Sequence, residues 1–148
     1  MNSLSISFTL AKQSQAHGAN IEHNNRDYIA SNIDISKVHQ NINYIRESPE
    51  KAYEKLFSNA VKEYNAKQKQ PCRRIHNYFE HILKSKREEA FYETVVQFGD
   101  KNTASCNSEN GNVAKMMLDE YMNDFQQRNP NLYVFNASLH LDEATDVV

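Results

Sequence analysis

The chain has 148 residues, the size of one domain with one modest core. Hydrophobic residues make up 39%, charged residues 24%, and the mean hydropathy is −0.79, so part of the chain is expected as loop or open surface. Three Gly and three Pro exclude a collagen-like chain or a Gly/Pro linker, and a net charge of −2 gives by itself no reason to expect nucleic-acid binding.

Residues 3–10 alternate, with Leu4, Ile6, Phe8 and Leu10 on one face and Ser or Thr on the other. That period of two predicts a half-buried strand. Residues 11–48, rich in Asn, Gln, Ser and His with weak periodicity, read as a long polar and mostly irregular excursion. A helix follows, with Ser48 as its N-cap and Pro49 at its first position. Tyr53, Leu56, Phe57, Ala60, Val61 and Tyr64 supply its apolar face. Pro71 interrupts it, and Ile75, Tyr78, Phe79 and Ile82 carry a shorter helix.

Residues 91–98, aromatic and β-branched before Gly99, predict a second strand. A polar loop spans 100–110. Val113, Met117, Tyr121 and Phe125 mark another helix, which Asn129-Pro130 stops. Residues 132–141 alternate again, with Tyr133, Phe135, Ala137, Leu139 and Leu141 on one face and Asn136, Ser138 and His140, together with Leu132 and Val134, on the other. The order predicts an α+β fold: an antiparallel sheet with helices packed on one face and an open polar face.

Cys72 and Cys106 are too few for a disulfide framework and read as free thiols. With no charged-then-apolar start and no apolar run near the roughly 20 residues that span a bilayer, the sequence reads as a cytoplasmic protein without membrane attachment.

Three features could carry chemistry. His140 and Glu143 could together ligate a divalent metal, although His-x-x-Glu on spacing alone is more often surface decoration. His23-Asn24-Asn25-Arg26, with Asn32-Ile33-Asp34-Ile35 behind it, concentrates imidazole, amide and guanidinium in what otherwise reads as a solvated loop. Lys67, Lys69, Arg73, Arg74, Lys84, Lys86 and Arg87 face only one acid, Glu80, giving a local net charge of +6. That stretch is either a solvated helix face or a phosphate-contacting patch. His17, His39, His76 and His81 show no ligand spacing; the last two are five apart, which is poor for one helix face.

Taken in order, these motifs resemble the plasmid mobilisation/recombination (Mob/Pre) relaxases. The resemblance rests on His-Asn-x-Arg near residue 25, Asn-x-Asp-Ile after it, and His-x-Asp-Glu-x-Thr late in the chain. It extends to Arg74-Ile-His-Asn-Tyr-Phe-Glu-His-Ile, the stretch beginning Ser108-Glu-Asn-Gly, and Asn129-Pro-Asn-Leu-Tyr-Val-Phe.

The resemblance implies a relaxase of the histidine-hydrophobic-histidine endonuclease type. Such enzymes nick one strand of plasmid DNA at a transfer origin and remain joined to its 5′ phosphate, with a divalent metal (manganese or magnesium) polarising the phosphate. His23 falls where the first-motif histidine, a nucleophile candidate, belongs, and Tyr44 is the second candidate. His140 matches the first metal histidine, Glu143 the motif carboxylate, and Arg26 would meet a phosphate. Single-stranded origin DNA and relaxosome proteins are the implied partners.

The family motif continues as Pro-His-x-His, whereas this chain reads Asp146-Val147-Val148. Val147 stands where the second metal histidine belongs. Residues 1–148 therefore read as a partial relaxase domain, cut within the metal motif, with weak metal binding and impaired catalysis. Two alternatives stand beside this: a relaxase drawing its ligands from His17, His39 or a second chain, and a non-catalytic interaction protein retaining the fold.

Overall fold

A computed structural model describes residues 5–15, 18–99, 102–105 and 107–143. The expectations placed on residues 3 and 4, His17, Cys106, Thr145 and Val147 lie outside these residues.

The elements run β1 (Ile6–Lys12), α1 (Ile21–Asn24), a 3-10 turn (Ile35–Gln40) and β2 (Ile42–Arg46), followed by α2 (Pro49–Lys67) and a second 3-10 turn (Pro71–Arg73). Then come α3 (Tyr78–Leu83), β3 (Tyr92–Phe98), α4 (Glu109–Asn123), α5 (Phe125–Arg128) and β4 (Asn136–Leu139). The α+β mixture is as the sequence predicts. The single sheet is instead two antiparallel pairs, β1 with β3 and β2 with β4.

The pairs nevertheless share an orientation. Phe98 and Val96 of one and Leu139, with the following Leu141, of the other meet Ala114 and Leu118 of α4 in one core. On the opposite faces, Glu93 accepts a hydrogen bond from Asn24 and Asn136 donates to Asn25 at 2.8 Å. A ring contact between Phe91 and Phe135, 5.3 Å between centroids, bridges the two pairs. One side thus takes helix α4, and the other carries the segment around residue 24.

Local chemistry explains the helices. Ser48 Oγ accepts from Lys51 N at 3.3 Å, and Pro49 needs no partner for an N–H it lacks. Asn77 caps α3 through Glu80 N, and Ser108 caps α4 through Gly111 N. α4 therefore begins four residues before Val113, the first residue of its apolar series. α2 and α3 close a second core of Phe79, Ile82 and Ala90 with Tyr53, Tyr78 and Phe91. Tyr53 lies 5.1 Å from Phe79 and 5.8 Å from Tyr78, ring centre to ring centre.

Two expectations are corrected and one is refined. Residues 11–48 are largely irregular, as expected, but they also hold α1, a 3-10 turn and β2. Ile42 and Tyr44 pack on the main core, and that burial overrides the polar composition around them. The last strand is four residues long rather than ten, and the register of its pairing with β2 shifts between Asn43 and Ile45. Finally, the apolar face of β1 is open: Phe8 is 61% and Leu10 64% exposed. α4 lies over β3 and β4 and touches β1 through Tyr121 against Phe8, at 6.4 Å between rings.

Candidate functional site

Two segments far apart in sequence meet on the polar side of the strands. In the first, Asn20 caps α1 by accepting from His23 N at 3.0 Å, which fixes where His23 leaves the backbone. Arg26 then takes a left-handed backbone, φ 56°, a conformation that costs a non-glycine residue of order 1–3 kcal/mol. In the second, β4 runs out into His140, Leu141 and Asp142, all buried.

The left-handed turn carries the Arg26 guanidinium onto the second segment. Nε donates to Asp142 Oδ2 at 2.9 Å and an Nη to Asp142 Oδ1 at 2.6 Å, a bidentate clasp. The same Nη reaches Glu143 Oε1 at 3.1 Å, and the other Nη donates to the carbonyl of His23 at 2.8 Å. Asp142 is fully buried, and Asn41 Nδ2 completes its shell at 2.7 Å. Backbone pairing adds to the join: Asp34 N donates to Asp142 O at 2.7 Å, and Ile33 bridges Glu143.

Glu143 stands between two imidazoles. His23 Nε2 is 3.4 Å and His140 Nδ1 3.6 Å from the same carboxylate oxygen, Oε1. His140 Nε2 faces the Asn24 carbonyl at 3.0 Å. The His140 ring holds the Glu143 carboxyl below its ordinary value against burial, with help from Arg26. Burial pushes the Asp142 carboxyl up, but Arg26 and Asn41 outweigh it and leave the group below the usual carboxylate range. The His23 side chain is a quarter exposed, and its Nδ1 has no hydrogen-bond partner among the described residues. A carboxylate-oriented imidazole with one free nitrogen is equipped as a base or nucleophile.

The structure thus brings together four of the residues singled out in the sequence: His23, Arg26, His140 and Glu143. Arg26 spends its donors on Asp142, Glu143 and a carbonyl. Tyr44 goes elsewhere. Its ring packs on the α4 core and its hydroxyl donates to Asp119; burial first, then that carboxylate, raise its pKa above the ordinary tyrosine value. His39 is exposed on its 3-10 turn.

All seven basic residues of the 67–87 stretch are exposed on the α2–α3 hairpin. They form a band rather than one spot. Asn65, near the end of α2, binds Ile75, and Tyr53, near its start, donates to the Ala90 carbonyl at 2.6 Å. Those anchors are about 18 Å apart along the helix. Asn41 is the site residue that sequence reasoning missed; a lone Asn in a polar segment carries no distinguishing signal.

A metal fits this arrangement poorly. Among the described residues, no three His, Cys, Asp or Glu side chains are arranged to hold one. Asp142 is consumed by Arg26 and Asn41, and one nitrogen of His140 faces a carbonyl. A catalytic site normally needs three protein ligands and an open position.

The residues that meet here come from the first and the last motif of the sequence, and the family comparison spans both. The sequence model of the Mob_Pre family, plasmid recombination enzyme, matches residues 17–147, and the chain belongs to that family. No curated protein and no solved structure matches it. No helix among the described residues is long and apolar enough to cross a membrane.

Proposed function

We propose that this chain is a relaxase-type domain that binds single-stranded plasmid DNA at a transfer origin, with His23 as its nucleophile and weak strand-nicking activity. The observation that carries this reading is the clasp of Arg26 on Asp142 and Glu143, which seats the first-motif histidine beside the last-motif carboxylate. In the step proposed, a His23 ring nitrogen attacks a backbone phosphorus. The attacking nitrogen is the one without a proton; a P–N bond forms, the P–O bond to the 3′ oxygen breaks, and that oxygen leaves as a hydroxyl with a proton from solvent water. Glu143 orients the imidazole.

Tyr44 is the weaker candidate, because its hydroxyl is bound to Asp119 and its proton is hard to remove. The exposed basic hairpin supplies the phosphate contacts. Manganese or magnesium is the metal the family reading implies. It would be held weakly through His140 and Glu143, because Val147 stands where a second histidine belongs. DNA and relaxosome proteins remain the partners proposed.

The test is a covalent-adduct assay with a random pool of single-stranded oligonucleotides and manganese. A trace of adduct is expected from the chain, more from Val147→His, none from His23→Ala, and the original trace from Tyr44→Phe. Adduct lost in Tyr44→Phe and kept in His23→Ala would transfer the role to Tyr44. Efficient cleavage by the unaltered chain would overturn the proposed impairment. A second reading, a non-catalytic protein-binding role, is favoured by the open apolar face of β1, formed by Ile6, Phe8 and Leu10.

A further inference from the structure

We infer that Asn41 is the positioning residue of this site: it holds the Asp142–Arg26 clasp in register and thereby presets the His23–Glu143 pair. The inference rests on the reading of His23 given above.

Asn41 sits where the first 3-10 turn passes into β2, with its own N–H bound to the Val38 carbonyl at 3.2 Å. Its side chain uses both ends. Oδ1 accepts from Leu141 N at 2.8 Å, and Nδ2 donates to Asp142 Oδ2 at 2.7 Å. The amide thus spans the backbone just before the carboxylate and the carboxylate itself, which fixes both the place and the rotation of Asp142. That rotation decides where Arg26 lies. With Asp142 Oδ2 shared between Asn41 and Arg26 Nε, the guanidinium plane is set. Its remaining donors then fall on Glu143 Oε1 and on the carbonyl of His23. Among the described residues Asn41 makes no hydrogen bond to His23 or Glu143, and it acts on both through Asp142 and Arg26.

Without the amide, Asp142 keeps Arg26 but loses the bond that holds it against rotation, and the buried Leu141 N–H loses its acceptor. Aspartate at position 41 would be more selective. It can still accept from Leu141 N but sets a second carboxylate against Asp142.

The experiment is solution NMR on the whole chain with Asn41→Ala and Asn41→Asp. It reads exchange of Arg26 Nε–H and the ring correlations of His23 and His140, with thermal melts run alongside. In the unaltered chain the Asn41 side-chain amide protons are expected to exchange slowly. In both variants Arg26 Nε–H is expected to exchange about tenfold faster, the loss of one hydrogen bond to a charged group. The His23 ring correlations are expected to move while the melt stays cooperative.

Unmoved His23 correlations in either folded variant would overturn the inference. So would an Asn41 amide in the unaltered chain that exchanges as fast as an exposed one, a result that does not depend on a variant folding. A merely structural Asn41 would lower the melting temperature and leave the His23 ring where it is. Failure of His23 as nucleophile would show instead in the adduct assay, with the ring shifts intact.

Discussion

Arg26 and Asp142 face each other almost without water: their side chains are 7% and 0% exposed. Removing one partner of such a pair leaves the other buried and uncompensated, so Arg26→Ala is expected to lose about 3–5 kcal/mol in urea unfolding. The pair also sets the acid response. Asp142 and Glu143 both have folded pKa values below their unfolded ones. Their stabilisation is therefore present above the unfolded carboxylate range and is lost as pH falls through the lower folded values. Stability measured from pH 6 down to about 2 should fall in the unaltered chain and fall less steeply in Arg26→Ala. His23, Arg26, His140 and Glu143 were legible as motif residues because imidazole and charge stand out in a sequence. Their geometry was not, since a residue at 26 reaching one at 142 is set by tertiary folding. Nor did the motif show that Arg26 points inward to carboxylates.

Among the elements, the connection from α2 to α3 is fastened back onto α2 by the Asn65 side chain. Asn65 Nδ2 donates to the Ile75 carbonyl at 2.7 Å, and Asn65 Oδ1 accepts from Ile75 N at 2.8 Å. Asn65→Ala leaves both backbone groups wanting and is expected to cost about 1–3 kcal/mol in chemical denaturation, with α2 itself retained. Gly18 closes the turn after β1 so tightly that a Cβ there would lie 2.1 Å from the Lys12 carbonyl oxygen. Gly18→Ala should therefore lower the melting temperature, and an unchanged melt would show that the turn can open.

The helix cap at Ser48 lay in plain sequence, because capping depends on residues within one turn, whereas the cap at Asn77 emerged only from the structure. β2 was hidden. Five residues are too few to show a period, and what makes them a strand is pairing with Asn136–Leu139 almost a hundred positions later. The same non-local cause shortened the last strand, whose alternation continues beyond the residues that find a partner.

At the scale of the whole molecule, the fold separates two jobs. One side of the strand pairs packs on α4; the other carries the clasped site; and the basic band is exposed on the α2–α3 hairpin, which closes an aromatic core of its own. The α+β character and the charge clustering followed from the sequence, while the division into two strand pairs and the open face of β1 did not. Those depend on how far one helix can reach. The measurement that tests the central claim most directly is a titration of the chain with single-stranded oligonucleotides across a salt series. If the basic band contacts phosphates, affinity falls as salt rises, by about 0.7 in log K per log salt for each contact. Neutralising Lys67, Lys69, Arg73 and Arg74 should then flatten that slope by up to about 3. Binding indifferent to salt, or a slope unchanged when those four charges are removed, would contradict the assignment of this hairpin to DNA.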